Sequence, residues 1–197
     1  MLILALDLSP TATGVCYAPA DRRPEPYIKQ FRHRDDDTDT AVRECGRWIR
    51  RICQAAADES KDELLIAVER YIPSGALANM GDFMPGRDRD AQLGLHFAAL
   101  TVADAYGVRF ESVHAQTVRV HFIGMRSVPP DVKPSGKMQT KREAAKAAVL
   151  KRAKILGYLP PECKDDNLAD ACALFDYAAS TFGRIAPAFT LTGGSQG

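Results

Sequence analysis

The sequence predicts an α/β protein whose mixed, five-stranded sheet is flanked by helices. Short apolar segments separated by turns fill the first third of the chain, which is typical of neighbouring antiparallel strands. Further along, apolar segments of strand length alternate with longer segments of helical periodicity. The 197 residues suffice for one domain, and we expect it to span residues 1–190, with a disordered tail over 191–197.

Five segments are predicted to form the strands. The first and fourth are uninterrupted apolar runs, which indicates burial on both faces of the sheet. Ser9 and Pro10 end the first run, and the second strand follows at once, as in a hairpin. The predicted strands cover residues 2–8, 13–18, 27–33, 64–68 and 108–113.

Helical spacing and end signals predict five helices. Thr38 or Asp39 can cap the first, and Gly107 ends the second. Thr140 and Glu143 have the spacing of a capping box at the start of the fourth. The predicted helices run from 38 or 39 through 53, over 90–106, from the end of the fifth strand to about 123, from 140 to 156, and over 166–182.

Composition excludes several classes of protein. The chain carries 26 Lys and Arg against 25 Asp and Glu, a net charge of +1, so overall charge gives no sign of a nucleic-acid partner. Five cysteines without a CxxC pair favour reduced core thiols over a zinc ribbon or a disulfide framework. No apolar run approaches the roughly 20 residues of a membrane span. We therefore expect a cytoplasmic, intracellular protein without a membrane partner.

Two carboxylates end predicted buried strands. Asp7 lies inside an apolar pattern, where an unpaired charge is costly, and Glu69 follows the strand at 64–68. Ligand sites of open α/β sheets gather at the carboxyl ends of strands, so both acids are candidate site residues. An aspartate that caps its own turn is the alternative for Asp7, and a salt bridge to Arg70 or another cation is the alternative for Glu69.

A third group of acids opens the last predicted helix. Asp166 and Asp170 are four residues apart, and Asn167 and Asp170 are three apart, so either pair can share a helix face. Asp165 is the better helix cap, whereas Asp166 can serve as cap or as ligand. Several carboxylates without paired histidines or cysteines suit Mg²⁺ or Mn²⁺, and two such ions can support phosphodiester cleavage.

Three motifs together resemble the RuvC-type Holliday junction resolvases, especially their phage-encoded relatives. They are Leu-Asp-Leu-Ser-Pro-x-x-Thr-Gly at 6–14, the strand-terminal Glu69, and Asp-Asp-Asn-Leu-Ala-Asp-Ala at 165–171. The resemblance implies an RNase H-like fold and a homodimer that cuts four-way or other branched DNA with Mg²⁺ or Mn²⁺. By position, Asp7 would bridge two metal ions, with Glu69 and Asp170 as further ligands. Many bacterial members place an acid or histidine where this chain has Asn167, so Asp166 is the candidate fourth ligand.

A basic segment precedes the last helix and offers a surface for DNA phosphates. Its cations stand against the single acid Glu143, although a solvated helix face is the alternative interpretation. By resemblance, Arg119 and Lys141 match basic positions near the family's active site, and Tyr71 occupies a position that stacks on an unpaired base; core packing is the alternative for Tyr71. The cations of the segment are Lys137, Lys141, Arg142, Lys146, Lys151, Arg152 and Lys154.

Other functions share parts of this pattern. An RNase H-fold nuclease for flap DNA, RNA:DNA hybrids or rRNA precursors would use the same acids, and dimerisation would separate it from a resolvase. An ATP-binding protein of the actin and sugar-kinase group would need a second phosphate loop and a much longer chain. A catalytically dead binder of branched DNA is disfavoured because the acids are present.

Overall fold

The computed structural model describes residues 1–32, 37–59, 63–70, 86–131 and 138–183. Within these residues, five strands form one sheet in the order β3-β2-β1-β4-β5. The strands are β1 (Leu2–Asp7), β2 (Thr13–Pro19), β3 (Tyr27–Lys29), β4 (Leu64–Glu69) and β5 (Arg109–Val113). Strand β1 is antiparallel to β2 and parallel to β4, which in turn is parallel to β5. The predicted mixed sheet is confirmed.

Helices cover both faces of the sheet. In the described parts of the chain they are α1 (Thr38–Glu59), α2 (Gly86–Ala105), α3 (Ala115–Ile123), α4 (Lys141–Ile155) and α5 (Asp166–Phe182). Helices α1 and α2 share one apolar core with the sheet, and α3, α4 and α5 share the other. The result is a three-layer α/β/α arrangement, as the alternation of strands and helices predicts.

Strand β1 supplies side chains to both cores, which explains its uninterrupted apolar sequence. Ile3 and Ala5 pack in the core under α5, whereas Leu4 and Leu6 pack in the core under α1 and α2. All four are fully buried. Because successive side chains of a strand point to opposite faces, Asp7 falls on the α5 side.

Several helix ends follow the predicted signals. Thr140 and Glu143 form the expected capping box, with each side chain bonded to the other residue's backbone N–H. Gly107 and Gly157 have φ angles of 63° and 71° just beyond α2 and α4, a conformation that glycine adopts without strain. Asp165 caps α5, which spans the predicted residues. No helix of the described chain is both long and apolar enough to cross a membrane.

Three predicted boundaries are wrong. Strand β3 ends at Lys29 rather than at residue 33, because the N–H groups of Phe31 and Arg32 donate to Pro10 O and draw the chain away from β2. Helix α1 is capped by Asp37, whose Oδ1 accepts from Thr40 N at 2.7 Å, not by Thr38 or Asp39. Helix α2 begins at residue 86, four residues before the predicted start.

The cysteines are free thiols, and four of the five are buried in the two cores. Cys16 Sγ of β2 lies 3.6 Å from Cys172 Sγ of α5. The prediction of reduced core thiols agrees with this arrangement. The predicted tail at 191–197 lies outside the described residues, and the extent of the domain to residue 190 stays a prediction.

Candidate active site

Asp7 and Glu69 are the last residues of two adjacent parallel strands. Leu6 pairs with Val68, so the next residue of each strand lies at the same end of the sheet. Both side chains are partly accessible to solvent. This juxtaposition is the one expected from the strand pattern, and it leaves both carboxylates within reach of a ligand.

The first turn of α5 is fixed against the β1–β2 turn. Asn167 Nδ2 donates to Ala12 O at 2.9 Å. Gly14 permits this approach, because a Cβ at that position would lie 2.1 Å from Asn167 O. Helix α5 therefore presents Asp166 and Asp170 to the sheet edge where Asp7 lies, and the Asn167 amide has a structural contact of its own.

The acids at the start of α5 have different roles. Asp165 Oδ1 accepts from Asn167 N at 3.0 Å and from Leu168 N at 3.2 Å, so Asp165 is the helix cap, as expected. Asp166 instead contacts Lys146 Nζ of α4 through Oδ2. This contact removes the capping interpretation of Asp166 and places Lys146 beside the acids.

The carboxylates influence one another strongly. Burial raises the pKa of Asp7 well above its ordinary value, and the charges of Glu69, Asp170 and Asp166 raise it further against the opposing charge of Lys146. Burial, followed by the charge of Asp170, raises the pKa of Glu69 to about 7. Asp7 is therefore the carboxylate on which the negative charges of the other three converge.

The pKa values of Asp170 and Asp166 shift in opposite directions. Burial raises the pKa of Asp170, against the lowering effect of nearby cations. Burial also acts to raise the pKa of Asp166, but the hydrogen bond and charge of Lys146 outweigh it, so the pKa of Asp166 is lowered. Asp166 is thus the acid that already has a cationic partner.

Three of the predicted DNA-binding cations lie close enough to act on these acids. Arg119 of α3 and both Arg142 and Lys146 of α4 lower the pKa values of Glu69 and Asp170. Lys141 is exposed at the first residue of α4. Two further predicted contacts, Tyr71 and Lys137, lie outside the described residues.

The oxygen atoms of the four acids suit a hard divalent cation by their chemistry, whereas their arrangement in the structure does not form a metal site. The four acids offer only oxygen atoms, which Mg²⁺ and Mn²⁺ prefer. Among the described residues, however, no group of three or more His, Cys, Asp or Glu side chains is disposed to hold a metal ion. The acids raise the pKa of Asp7 by their charges, and Asp166 is paired with Lys146.

The raised pKa of Glu69 predicts a pH dependence of stability. Folding raises this pKa from 4.5 to about 7, so the charged form is costly in the folded state and stability falls as pH rises across that range. In EDTA, we expect the free energy of unfolding of the wild type to fall between pH 5 and pH 8. In Glu69→Gln this fall is expected to be smaller by roughly 1–3 kcal/mol. Urea denaturation at the two pH values measures it, and an unchanged loss would contradict the assigned environment.

Sequence reasoning missed a buried polar network behind the acids. Asp176 of α5 is 7% exposed. Its Oδ2 lies 2.8 Å from His121 Nε2 of α3, and its Oδ1 accepts from Tyr158 OH at 2.6 Å. The network ties α3, which carries Arg119, to α5, which carries Asp170. No spacing signal could identify it, since its members are up to 55 residues apart in the chain.

Comparison with known proteins supports the fold. No family model and no curated protein matches the sequence. A solved structure of T. thermophilus RuvC in complex with a Holliday junction substrate matches with a TM-score of 0.58 and 15% identity, over 95% of this chain and 97% of that chain. A second Thermus thermophilus RuvC structure matches with a TM-score of 0.54 and 16% identity, over 93% and 97% of the two chains. The chain therefore has the RNase H-like fold of RuvC, as its sequence predicts.

Proposed function

We propose that this chain is a divalent-metal-dependent endonuclease that cuts Holliday junctions or other branched DNA. The observation that carries the proposal is the convergence of Asp7, Glu69, Asp166 and Asp170 at one edge of a RuvC-like sheet. A solved protein of this fold is bound to a Holliday junction substrate. Acids that repel one another in a partly buried site suit a function in which cations neutralise them.

The four acids would hold Mg²⁺ or Mn²⁺, with two ions in the complete site. Ions bound there would supply the activation of a water molecule and the neutralisation of charge on the leaving oxygen. Asp7 would be the central ligand, because the charges of the other three acids all act on it. Glu69 and Asp170 would complete the set, with Asp166 as the fourth ligand once it exchanges Lys146 for a metal ion.

The neighbouring cations would bind the DNA backbone. Arg119, Arg142 and Lys146 lie near enough to the acids to stabilise their charges, and the same positions would attract a phosphodiester to the site. Lys141 would extend this basic surface from the exposed start of α4. Lys137 as a phosphate contact and Tyr71 as a stacking residue are proposed from the family resemblance.

A homodimer is part of the proposal, because symmetrical cuts in a four-way junction require two active sites related by a two-fold axis. Helix α2 exposes Phe97 by 54% and Leu100 by 37%, three residues apart on one face, and a second copy could cover both. Sedimentation equilibrium would measure the subunit number directly.

We also propose an intracellular location, because the proposed substrate is DNA. That the protein is encoded by a phage stays a prediction.

A panel of labelled substrates tests the proposed specificity. The wild-type protein is incubated with Mg²⁺ or Mn²⁺ and a four-way junction, a flap, an RNA:DNA hybrid or a matched duplex. We expect the junction to be cut at least tenfold faster than the duplex. Faster cutting of the flap or the hybrid would support nuclease activity but identify a different substrate. Junction binding without any cleavage would leave a structural DNA-binding protein.

A further inference from the structure

A second candidate site lies beside the outermost strand β5. A cavity of about 660 Å³ opens next to β5, an edge strand of the described sheet, between α3 and the C-terminal half of α5. Its volume falls within the roughly 300–1,000 Å³ of small-ligand sites. The lining residues that matter are Arg70, Arg126, Gln116, Thr117, Tyr177 and Phe182.

The described residues that line this cavity carry a net positive charge. Glu111 contributes a carboxylate to the wall, but Arg109 already engages it, with Nε and a terminal nitrogen 3.0 and 2.9 Å from Oε1. Arg109 also lies over the Phe182 ring, 4.6 Å from its centre. Since this acid is neutralised, Arg70 and Arg126 give the cavity an excess of cationic charge.

The cavity walls combine hydrogen-bond donors with aromatic surface. The Arg70 guanidinium donates to Ser112 O at 3.2 Å, which holds it at the end of β5. Gln116 and Thr117 are exposed on the first turn of α3. Tyr177 and Phe182 pack edge to face, with ring centres 6.1 Å apart. Guanidinium groups and polar side chains of this kind contact phosphate and sugar oxygens.

The cavity is a short distance from the acids. Tyr177 and Phe182 follow Asp170 by seven and twelve residues on α5, which corresponds to about 10 and about 18 Å along the helix. Phosphates of one DNA strand repeat about every 3.4 Å along a duplex. A duplex arm that leaves the acids toward the cavity would therefore bring phosphates about three to five nucleotides away to the cavity wall that α5 forms.

We propose that this cavity binds the phosphodiester backbone of a DNA arm about three to five nucleotides from the phosphate held at the acids. The inference rests on the proposed function for its choice of DNA as ligand. Arg126 and Arg70 bind the phosphates, and Gln116 and Thr117 contact the same backbone. The cavity thus contacts a DNA arm at a fixed distance from the branch. It increases the affinity for DNA independently of the base sequence.

The test compares two charge reversals on opposite layers of the fold. Arg126→Glu changes an exposed cavity residue, and Arg51→Glu makes the same change on the exposed face of α1. Binding of a fluorescent four-way junction is measured by anisotropy in EDTA, over a range of salt concentrations. We expect Arg126→Glu to weaken binding about tenfold and to lower the salt slope by about one, with Arg51→Glu within about twofold of wild type.

A second junction carries neutral methylphosphonates at the third to fifth linkages from the branch. On this junction we expect the effect of Arg126→Glu to shrink below about threefold, because the phosphates it contacts are already neutral. A full tenfold effect there, equal effects of the two reversals, or no DNA binding by wild type would each overturn the inference. A junction that is bound through Arg126 but never cut would remove the proposed nuclease and leave this site standing.

Discussion

Replacing Asp7 with Asn is expected to abolish junction cleavage, with a loss of roughly 1,000-fold or more in the single-turnover rate, because several kcal/mol of metal-assisted stabilisation depend on this carboxylate. The same substitution is expected to stabilise the metal-free protein by roughly 1–3 kcal/mol. Burial and three neighbouring acids raise the pKa of Asp7, so its charge is unfavourable in the folded state. Quenched cleavage time courses and urea denaturation in EDTA measure the two effects.

Asp165→Asn is the matched control for the loss of an acid. Asp165 caps α5 next to the acidic cluster, and asparagine caps helices about as well as aspartate. We expect this variant to cut the junction within about threefold of wild type. If Asp7→Asn retained cleavage comparable to that of Asp165→Asn, Asp7 would not be a metal ligand. A destabilised Asp7→Asn protein in EDTA would contradict the electrostatic account of the site.

Gly14→Ala is expected to destabilise the protein by about 3 kcal/mol, the upper range of overpacking effects. The added Cβ would lie 2.1 Å from Asn167 O and 3.2 Å from Ala171 Cβ, both on α5. Relief requires α5 to move away from β2, and Asp170 would move with it. We therefore expect a loss of junction cleavage beyond the loss of folded protein, measured at a temperature where the variant remains folded.

Gly46→Ala provides the comparison at a second glycine. Gly46 lies within α1, and its added Cβ would come no closer than 3.9 Å to Ala98 or Val102. Since alanine is the better helix former, we expect stability unchanged or raised by about 0.5–1 kcal/mol. Urea denaturation of both variants decides the matter. Equal stabilities of Gly14→Ala and wild type would show that the contact between β2 and α5 is not tight.

Local sequence patterns predict much of the fold and the positions of Asp7 and Glu69 at the ends of their strands. An uninterrupted apolar strand that ends in a carboxylate identifies both Asp7 and Glu69, because the requirement is local to each strand. The bounds of α5 follow from the Asp165 cap and the periodicity after it. The end of β3 could not be read in this way, because a contact with Pro10, distant in sequence from that strand, decides it.

Features that depend on packing between distant segments could not be predicted. The bonds of Asp176 to His121 and Tyr158 join three separate parts of the chain, and nothing in the local sequence marks them. The pairing of Lys146 with Asp166 likewise depends on how α4 packs against α5. Sequence spacing indicates which acids can share one end of the sheet, but the balance of charge around each acid depends on cations from α3 and α4.

The proposed nuclease is tested most directly by incubating a four-way junction, labelled in turn on each strand, with Mg²⁺, Mn²⁺ or EDTA. We expect nicks at matching positions in two opposite strands, present with either metal and absent in EDTA. The acids at the ends of β1, β4 and the start of α5 would then be the metal ligands of a junction nuclease. Cleavage that persists in EDTA would contradict the proposal of a metal-dependent junction nuclease. A junction that is bound but remains uncut with either metal would contradict it as well.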